Sequence, residues 1–490
     1  MEPLLTMVIR SCAAASGLGL AAWLVWAIVH ASLAPSILLP AVAGLVGLTL
    51  IRPIWGVYAT IAVVPLLGRF TEVFSTAYFV PAEVLFYAAL SGWLLHMGLR
   101  GGEWKPAAVD PWILVWGVVI ACSALVEMKA EPVQQMPDGW VQRVPDLFTG
   151  YPHAASLYPL RVAFTYFAGI AAFVLVGQSM RHDRERERLI QVLAAVSVLV
   201  CGYAAFQFVT GTDLHLGVSV QSSLTDKATL GGYFGLVVGL VLGQTRSRGW
   251  SRVAGFLLLP VCLAGLFFSR SGNAWLAVAV LLLIVIAIQL RGLGSRHRGK
   301  VAIQLGALLV IVAGLAVGIA DNIDTRIERG HLKRPIYWMA SIDGLRDNPV
   351  WGVGVGRIFT MPYAKQRGGL QTHAHNGVLQ VAAELGLVGL GAWLALLAVW
   401  GRETRRQLGR SPSAEPAWAQ VALLLGAAGF LLAGLGENLL GYVEQQILFG
   451  SVLGAAACSG GRGAGARAWW FAAGLGLFVV LSALFRQPLP

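Results

Sequence analysis

The chain has 490 residues, of which 57% are hydrophobic and 12% charged, about half the charged share of a typical soluble domain. That much apolar surface exceeds what one or two water-soluble cores of this length can hide, whereas a lipid bilayer removes the need to hide it. The net charge of +12 comes as short basic clusters between apolar runs, not along one face, which excludes a nucleic-acid reading and points to topology signals.

Apolar runs of about 16–25 residues can cross a bilayer. In chain order they fall near 12–30, 33–51, 54–68, 80–99, 111–126, 161–180, 189–210, 228–243, 253–268, 273–290, 301–320, 376–400, 418–436, 441–459 and 468–485. The expectation is an all-α polytopic membrane protein with a bundle of about 12–15 transmembrane helices. The first run has no convincing cleavage site at its end and reads as a retained span. Cys12, Cys122, Cys201, Cys262 and Cys458 lie in or beside these runs, so neither a disulfide framework nor a cysteine metal site is expected.

The strongest basic clusters are 181–186, 244–252, 291–300 and 402–410. Successive clusters are separated by an even number of spans, so all of them can face the cytoplasm together, with Arg10, Arg52, Arg100 and Lys105 on the same side. Two outer segments are then too long to be turns: Glu127 to Pro159, and Asp321 to Thr372. Within the second, Arg334 to Arg346 places Pro335 at the start of a helix and Ile336, Met339 and Ile342 at helical spacing, ended by Asn348-Pro349. This reads as an amphipathic helix on the outer membrane face. The Gly352-Val-Gly-Val-Gly356 run has the look of a phosphate cradle, but a tight turn or close backbone packing is the preferred reading.

His373 and His375 precede Asn376, which is placed to cap the following span. Histidine is suited to proton transfer near neutral pH. A metal would need further ligands, and neither His153, His215 nor His331 has a spacing that supplies them. Glu384 lies about 13.5 Å further along a straight helix and on its opposite face, so it is poorly placed to orient His375. Arg270 occupies a short outer turn, where snorkelling to headgroups is the plain explanation. The outer loop carries Arg326, Arg329, Lys333, Arg334, Arg346, Arg357, Lys365 and Arg367 against five acids. Such an excess beside a histidine suits an anionic lipid-linked substrate such as a diphosphate.

Arg334 through Trp338, Asn348-Pro349, Gly352 to Gly356, His375-Asn376, Gln380 and Glu384-Leu-Gly-Leu-Val-Gly389 together resemble the shared core of the O-antigen ligase and polymerase superfamily. Ser269-Arg270 resembles the start of that core, and Thr225 to Phe234 resembles an upstream element more loosely. The resemblance spans roughly 265–400. It implies a GT-C-like membrane glycosyltransferase with a large extracytoplasmic loop, organised as N-terminal helices 1–265 with an outer loop 127–159, a core 266–400 that includes the periplasmic loop 321–375, and C-terminal helices 401–490. It further implies an undecaprenyl-diphosphate-linked glycan as donor and a glycan or lipid A core as acceptor. No cofactor and no metal are needed, and the site faces the periplasm from the bacterial inner membrane. By resemblance His375 is the catalytic base with His373 beside it, and Arg270 and Arg334 hold the diphosphate. Lys227, Arg357, Asn376 and Glu384 are supporting residues. The extra spans depart from the ligase pattern and favour a polymerase; an O-antigen ligase, a protein glycosylase of the same superfamily, or a transporter or flippase are the alternatives.

Overall fold

A computed structural model describes residues 2–31, 35–67, 81–101, 104, 107–127, 154–180, 182–211, 222–224, 227–291, 306, 334–358, 373–410 and 417–457. The described residues form helices throughout: α1 (Glu2–Ala31), α2 (Pro35–Ile51), α3 (Pro53–Leu67), α4 (Pro81–Leu99), α5 (Asp110–Glu127), α6 (Ala154–Ser179), α7 (Asp183–Thr210), α8 (Lys227–Gln244), α9 (Gly249–Ser269), α10 (Gly272–Arg291), α11 (Arg334–Asp347), α12 (Gly377–Arg410), α13 (Ala417–Gly434) and α14 (Val443–Ala457), with a 3₁₀ turn at Leu439–Gly441. Seven of them are long and apolar enough to cross a membrane, and four shorter apolar helices accompany them. The chain is therefore an all-α, multi-pass membrane bundle. The expected run 468–485, the run 301–320 apart from residue 306, most of the outer segment 127–159, and 321–333 and 359–372 of the second outer segment lie outside the described residues.

Several helix limits reach past the apolar runs: α1 begins at Glu2, α7 at Asp183 and α9 at Gly249. α6 begins at Ala154, inside the segment expected as loop, and α12 continues to Arg410 through the basic cluster. Helical hydrogen bonding does not stop where apolarity does, so turns at the water boundary extend past the spanning stretch.

Glycines set the tightest packing. α8 and α13 run antiparallel: a Cβ on Gly429 would lie 2.2 Å from the Gly235 carbonyl, and one on Gly243 would lie 2.2 Å from Ala422 Cα. α6 and α14 run parallel, with Gly450 against Gly169 and Gly454 against Phe173. In lipid no hydrophobic force pulls helices together, so small residues that let backbones touch supply dispersion contact instead. These directions give the bundle two ends. The basic turns between α6 and α7 and between α8 and α9, and the last turns of α12, share one end, where Arg186 donates to the Ala455 carbonyl in the last turn of α14 at 2.9 Å. The start of α12, the end of α13 and the start of α14 share the other.

α12 is broken. Gly386 has φ +65° and ψ −166°, so the helix stops and restarts there. The freed backbone groups are taken up by the segment after α11: Val353 N–H donates to Ala383 O (2.8 Å), Gly354 N–H to Glu384 O (2.9 Å), Leu387 N–H to Pro349 O (2.8 Å) and Val388 N–H to Val350 O (3.2 Å). Gly352, Gly354 and Gly356 all have positive φ, and a Cβ at Gly352 would sit 2.5 Å from the Ala383 carbonyl. The glycine run is a close backbone splice: the amides of Val353, Gly354 and Gly356 are spent on α12, that of Val355 on Ser123 Oγ of α5 and that of Gly352 on Asn348 O.

Candidate functional site

α12 starts as its sequence demands. Asn376 Oδ1 accepts from the N–H groups of Val378 and Leu379, both at 3.0 Å, which caps the helix. Its amide nitrogen donates to Leu435 O at 2.8 Å, tying this start to the end of α13. Ala374 is fully buried, and its N–H is held by Gln380 Oε1 at 2.8 Å. Gln380 in turn donates to Glu384 Oε1 at 2.7 Å, which also accepts the Gly356 N–H at 3.1 Å. Glu384 thus braces the histidine turn against the glycine splice and does not meet His375 itself.

The tight turn puts His375 at φ +49°, a left-handed conformation that costs a non-glycine residue about 1–3 kcal/mol and clusters at functional sites. Its ring stacks on Tyr337 of α11, with centroids 5.5 Å apart and planes 20° apart. Nδ1 lies 2.9 Å from Glu437 Oε2. Glu437 sits in the turn between α13 and the 3₁₀ segment, and its other oxygen accepts from Arg334 at 2.5 Å and from Asn273 Nδ2 at 3.3 Å. The neighbouring Gly436 carbonyl accepts from the same two residues, at 3.2 Å from Arg334 and 2.7 Å from Asn273.

Burial alone would push the Glu437 carboxyl up, but the hydrogen bond from His375 and the Arg334 charge outweigh it and hold it below the usual carboxylate range. Glu437 is therefore an anion that only accepts, so His375 Nδ1 carries its hydrogen. In neutral His375 the lone pair is then on Nε2. His373 packs 4.1 Å away, centroid to centroid, and its Nδ1 accepts the His375 backbone N–H at 3.3 Å. Burial first, and then the adjacent His375, push the pKa of His373 down to about 3. His373 is a neutral ring that shapes the turn.

The other expected residues divide. Arg357 is clamped to the end of α5, with Nε 3.2 Å from Glu127 Oε2 and a terminal nitrogen donating to Glu127 O at 2.9 Å. Lys227 opens α8 at the same end of the bundle as His375. Arg270 ends α9 with φ +48° and lies exposed, its guanidinium 5.8 Å from the Phe208 ring centroid. Its backbone N–H caps α9 on Phe267 O at 3.1 Å, and its guanidinium makes no hydrogen bond or ion pair to any described residue. Three residues on, Asn273 reaches Glu437, so the Arg270 turn adjoins the site. Among the described residues no three His, Cys, Asp or Glu side chains gather as a metal-ligand set; His153, His215 and His331 lie outside them.

Glu437, Asn273 and Tyr337 were not among the candidates drawn from the sequence. One signal was present: a lone carboxylate in Gly434-Leu-Gly-Glu-Asn438, in a short outer turn between two apolar runs, where an ionisable group is functional by default.

Residues 257–394 match the sequence model of the O-antigen ligase family. The match begins inside α9, runs through Arg270, Asn273, Arg334, Tyr337 and His375, and ends inside α12. It supports membership in this superfamily and is consistent with glycan handling at a membrane. Glu437 lies beyond the matched segment. No curated protein matches the chain.

Proposed function

We propose that the chain is a membrane glycosyltransferase that moves a glycan from undecaprenyl diphosphate to an acceptor hydroxyl at the His375 end of the bundle. The observation that carries this reading is the linked set Arg334–Glu437–His375, at 2.5 and 2.9 Å. A carboxylate fixes the imidazole with Nε2 available, and guanidinium groups stand on the same side. His375 Nε2 takes the proton from the acceptor hydroxyl. The hydroxyl oxygen forms the new bond to the anomeric carbon, and the bond from that carbon to the diphosphate oxygen breaks, leaving its electron pair on the departing polyprenyl diphosphate. Direct displacement inverts the anomeric centre. Arg270, with its guanidinium donors uncommitted to described residues, and Arg334 stabilise the charge that develops on the leaving group. The donor is already activated, so the step draws on no metal, nucleotide or cofactor.

The match to the O-antigen ligase model supports a ligase, with a lipid A core acceptor, over the polymerase that the span count suggested. The periplasmic face of a bacterial inner membrane fits the basic clusters at the opposite end. A transporter would place its ionisable groups near the midplane, whereas this set sits where helices start and end.

Purified protein given a lipid-diphosphate-linked saccharide and an acceptor tests the reading. His375→Ala should fold and lose about 10²- to 10⁴-fold in rate. Wild-type turnover by a stable His375→Ala protein would remove the base from the mechanism. Sizing surface glycans after gene deletion separates the acceptors: full-length chains left on the lipid carrier mark a lost ligase, and single repeats mark a lost polymerase.

A further inference from the structure

One hydrogen bond does not fix an imidazole. With Nδ1 held on Glu437 Oε2 at 2.9 Å, the ring can still turn about that bond, and turning it swings the Nε2 lone pair around a cone. A base has to meet its proton along one direction and within hydrogen-bond reach, so a second contact must set the plane of the ring. His373 lies 4.1 Å away and crosses it at 62°, but it belongs to the same turn and moves with it. Tyr337 comes from another element. Its ring is 20° from parallel with the imidazole, centroids 5.5 Å apart, within the offset stacking that aromatic pairs favour.

Tyr337 is itself held firmly. Arg334 and Tyr337 are three residues apart on α11 and so share a face; the first donates to Glu437 and the second covers His375. Further along, Ala340, Ser341 and Gly344 are buried and continue the same stripe. Gly344 closes the contact: a Cβ there would lie 3.1 Å from Val353 Cγ1, and the Val353 N–H donates to Ala383 O of α12 at 2.8 Å. One helix therefore carries both groups, and it is fastened to the helix that begins beside His375.

We infer that Tyr337 is a positioning residue that sets the plane of the His375 ring and so aims Nε2 at the acceptor hydroxyl, an assignment that rests on the glycosyltransferase reading for the identity of the proton donor. Once Nε2 has taken that proton, both ring nitrogens carry hydrogen and the imidazole is a cation. The face of an aromatic ring attracts a cation, so the stack tightens as the charge develops. An interaction that is stronger in the transition state than in the ground state raises kcat and leaves KM alone. The effect belongs to the ring face, so phenylalanine can replace tyrosine and leucine cannot.

The test follows transfer from a lipid-diphosphate-linked saccharide by the full-length purified protein. Tyr337→Leu should lower kcat about tenfold with KM nearly unchanged, and Tyr337→Phe, which keeps the ring, should recover the rate. Wild-type kcat in Tyr337→Leu would overturn the inference; so would an equal fall in Tyr337→Phe, which would assign the effect to the hydroxyl. A double-mutant cycle tells positioning from packing: in a His375→Ala background, Tyr337→Leu should cost no further rate, because the group it acts through is gone. An undiminished loss there would leave Tyr337 a purely structural residue. A readout without turnover is modification of His375 by diethyl pyrocarbonate, followed at that residue by tandem mass spectrometry. Removing the ring in Tyr337→Leu should speed the modification and Tyr337→Phe should not, whereas equal rates in all three proteins would also overturn the inference. A wild-type protein that transfers no glycan yet shows this pattern would sink the glycosyltransferase reading and leave the stack standing.

Discussion

Replacing Glu437 by glutamine removes one charge and little volume from the centre of the site. The carboxylate holds His375 Nδ1 at 2.9 Å and Arg334 at 2.5 Å, and the Glu437 and His375 side chains are 11% and 28% exposed. A hydrogen bond to a charged group contributes about 1.5–3 kcal/mol. Glutamine keeps one acceptor oxygen, which can serve His375 or Arg334 but not both, and it presents an NH₂ to whichever donor remains. If the lost interaction is one that strengthens as the imidazole takes up the acceptor's proton, kcat falls by the same free energy, about 10- to 100-fold after allowing for partial exposure to water. KM for the acceptor should move little, because Glu437 touches the base and not the sugar. The assay is steady-state transfer from a lipid-diphosphate-linked saccharide, with thermal unfolding in detergent run in parallel. A Glu437→Gln protein that melts like wild type and keeps wild-type kcat would refute the coupling between the carboxylate and His375.

Other outcomes follow from the same geometry. Arg270→Lys and Arg334→Lys keep the charge but lose the planar fork, so each should lower kcat/KM for the lipid-linked donor by about tenfold or more; full activity in both would leave Arg270 a headgroup anchor and Arg334 a purely structural partner of Glu437. His373 has a folded pKa of about 3, below its unfolded value of about 6.5. Between these values the unfolded chain binds the extra proton, so stability is fully present above pH 6.5 and declines as pH falls toward 3. Melting curves from pH 7 to pH 4 should show this decline, shared with the depressed Glu437, and His373→Asn should reduce it. Gly386→Ala forces a side chain into φ +65° and against the Val350 carbonyl, 2.2 Å from the new Cβ. It should destabilise the protein by about 1–3 kcal/mol, read as a lower melting temperature; an unchanged one would mean the break in α12 is not needed.

The spans were legible because lipid enforces them: every expected run that falls among the described residues coincides with a helix, and the three basic clusters among the described residues, 181–186, 244–252 and 402–410, sort to one end, while 291–300 lies almost wholly outside them. Asn376 was legible too, since a cap acts within three residues of itself. What escaped was long-range. Glu437 meets a histidine 62 residues away, a contact that neither periodicity nor charge parity encodes, even though parity put both on one side. The break at Gly386 escaped for a different reason. Glu384-Leu-Gly-Leu-Val-Gly389 reads as uninterrupted apolar helix, and the groups that compensate the break come from 349–354. Arg334 was assigned from resemblance to the leaving group, but its first partner in the fold is a carboxylate, which positions its guanidinium beside the base.

The lacing of 349–354 into the broken α12 has a consequence for exchanging parts between related proteins. Its bonds are backbone to backbone, so they read no side chain except where a glycine must be. The sequence around them can drift while the frame that carries the start of α12 stays constant. A chimera that imports an outer segment to change acceptor preference should therefore carry 348–356 and 383–388 together as one cassette. Splitting them between parents would join two halves of a splice whose glycines no longer match, and the transplanted loop would arrive without its seat.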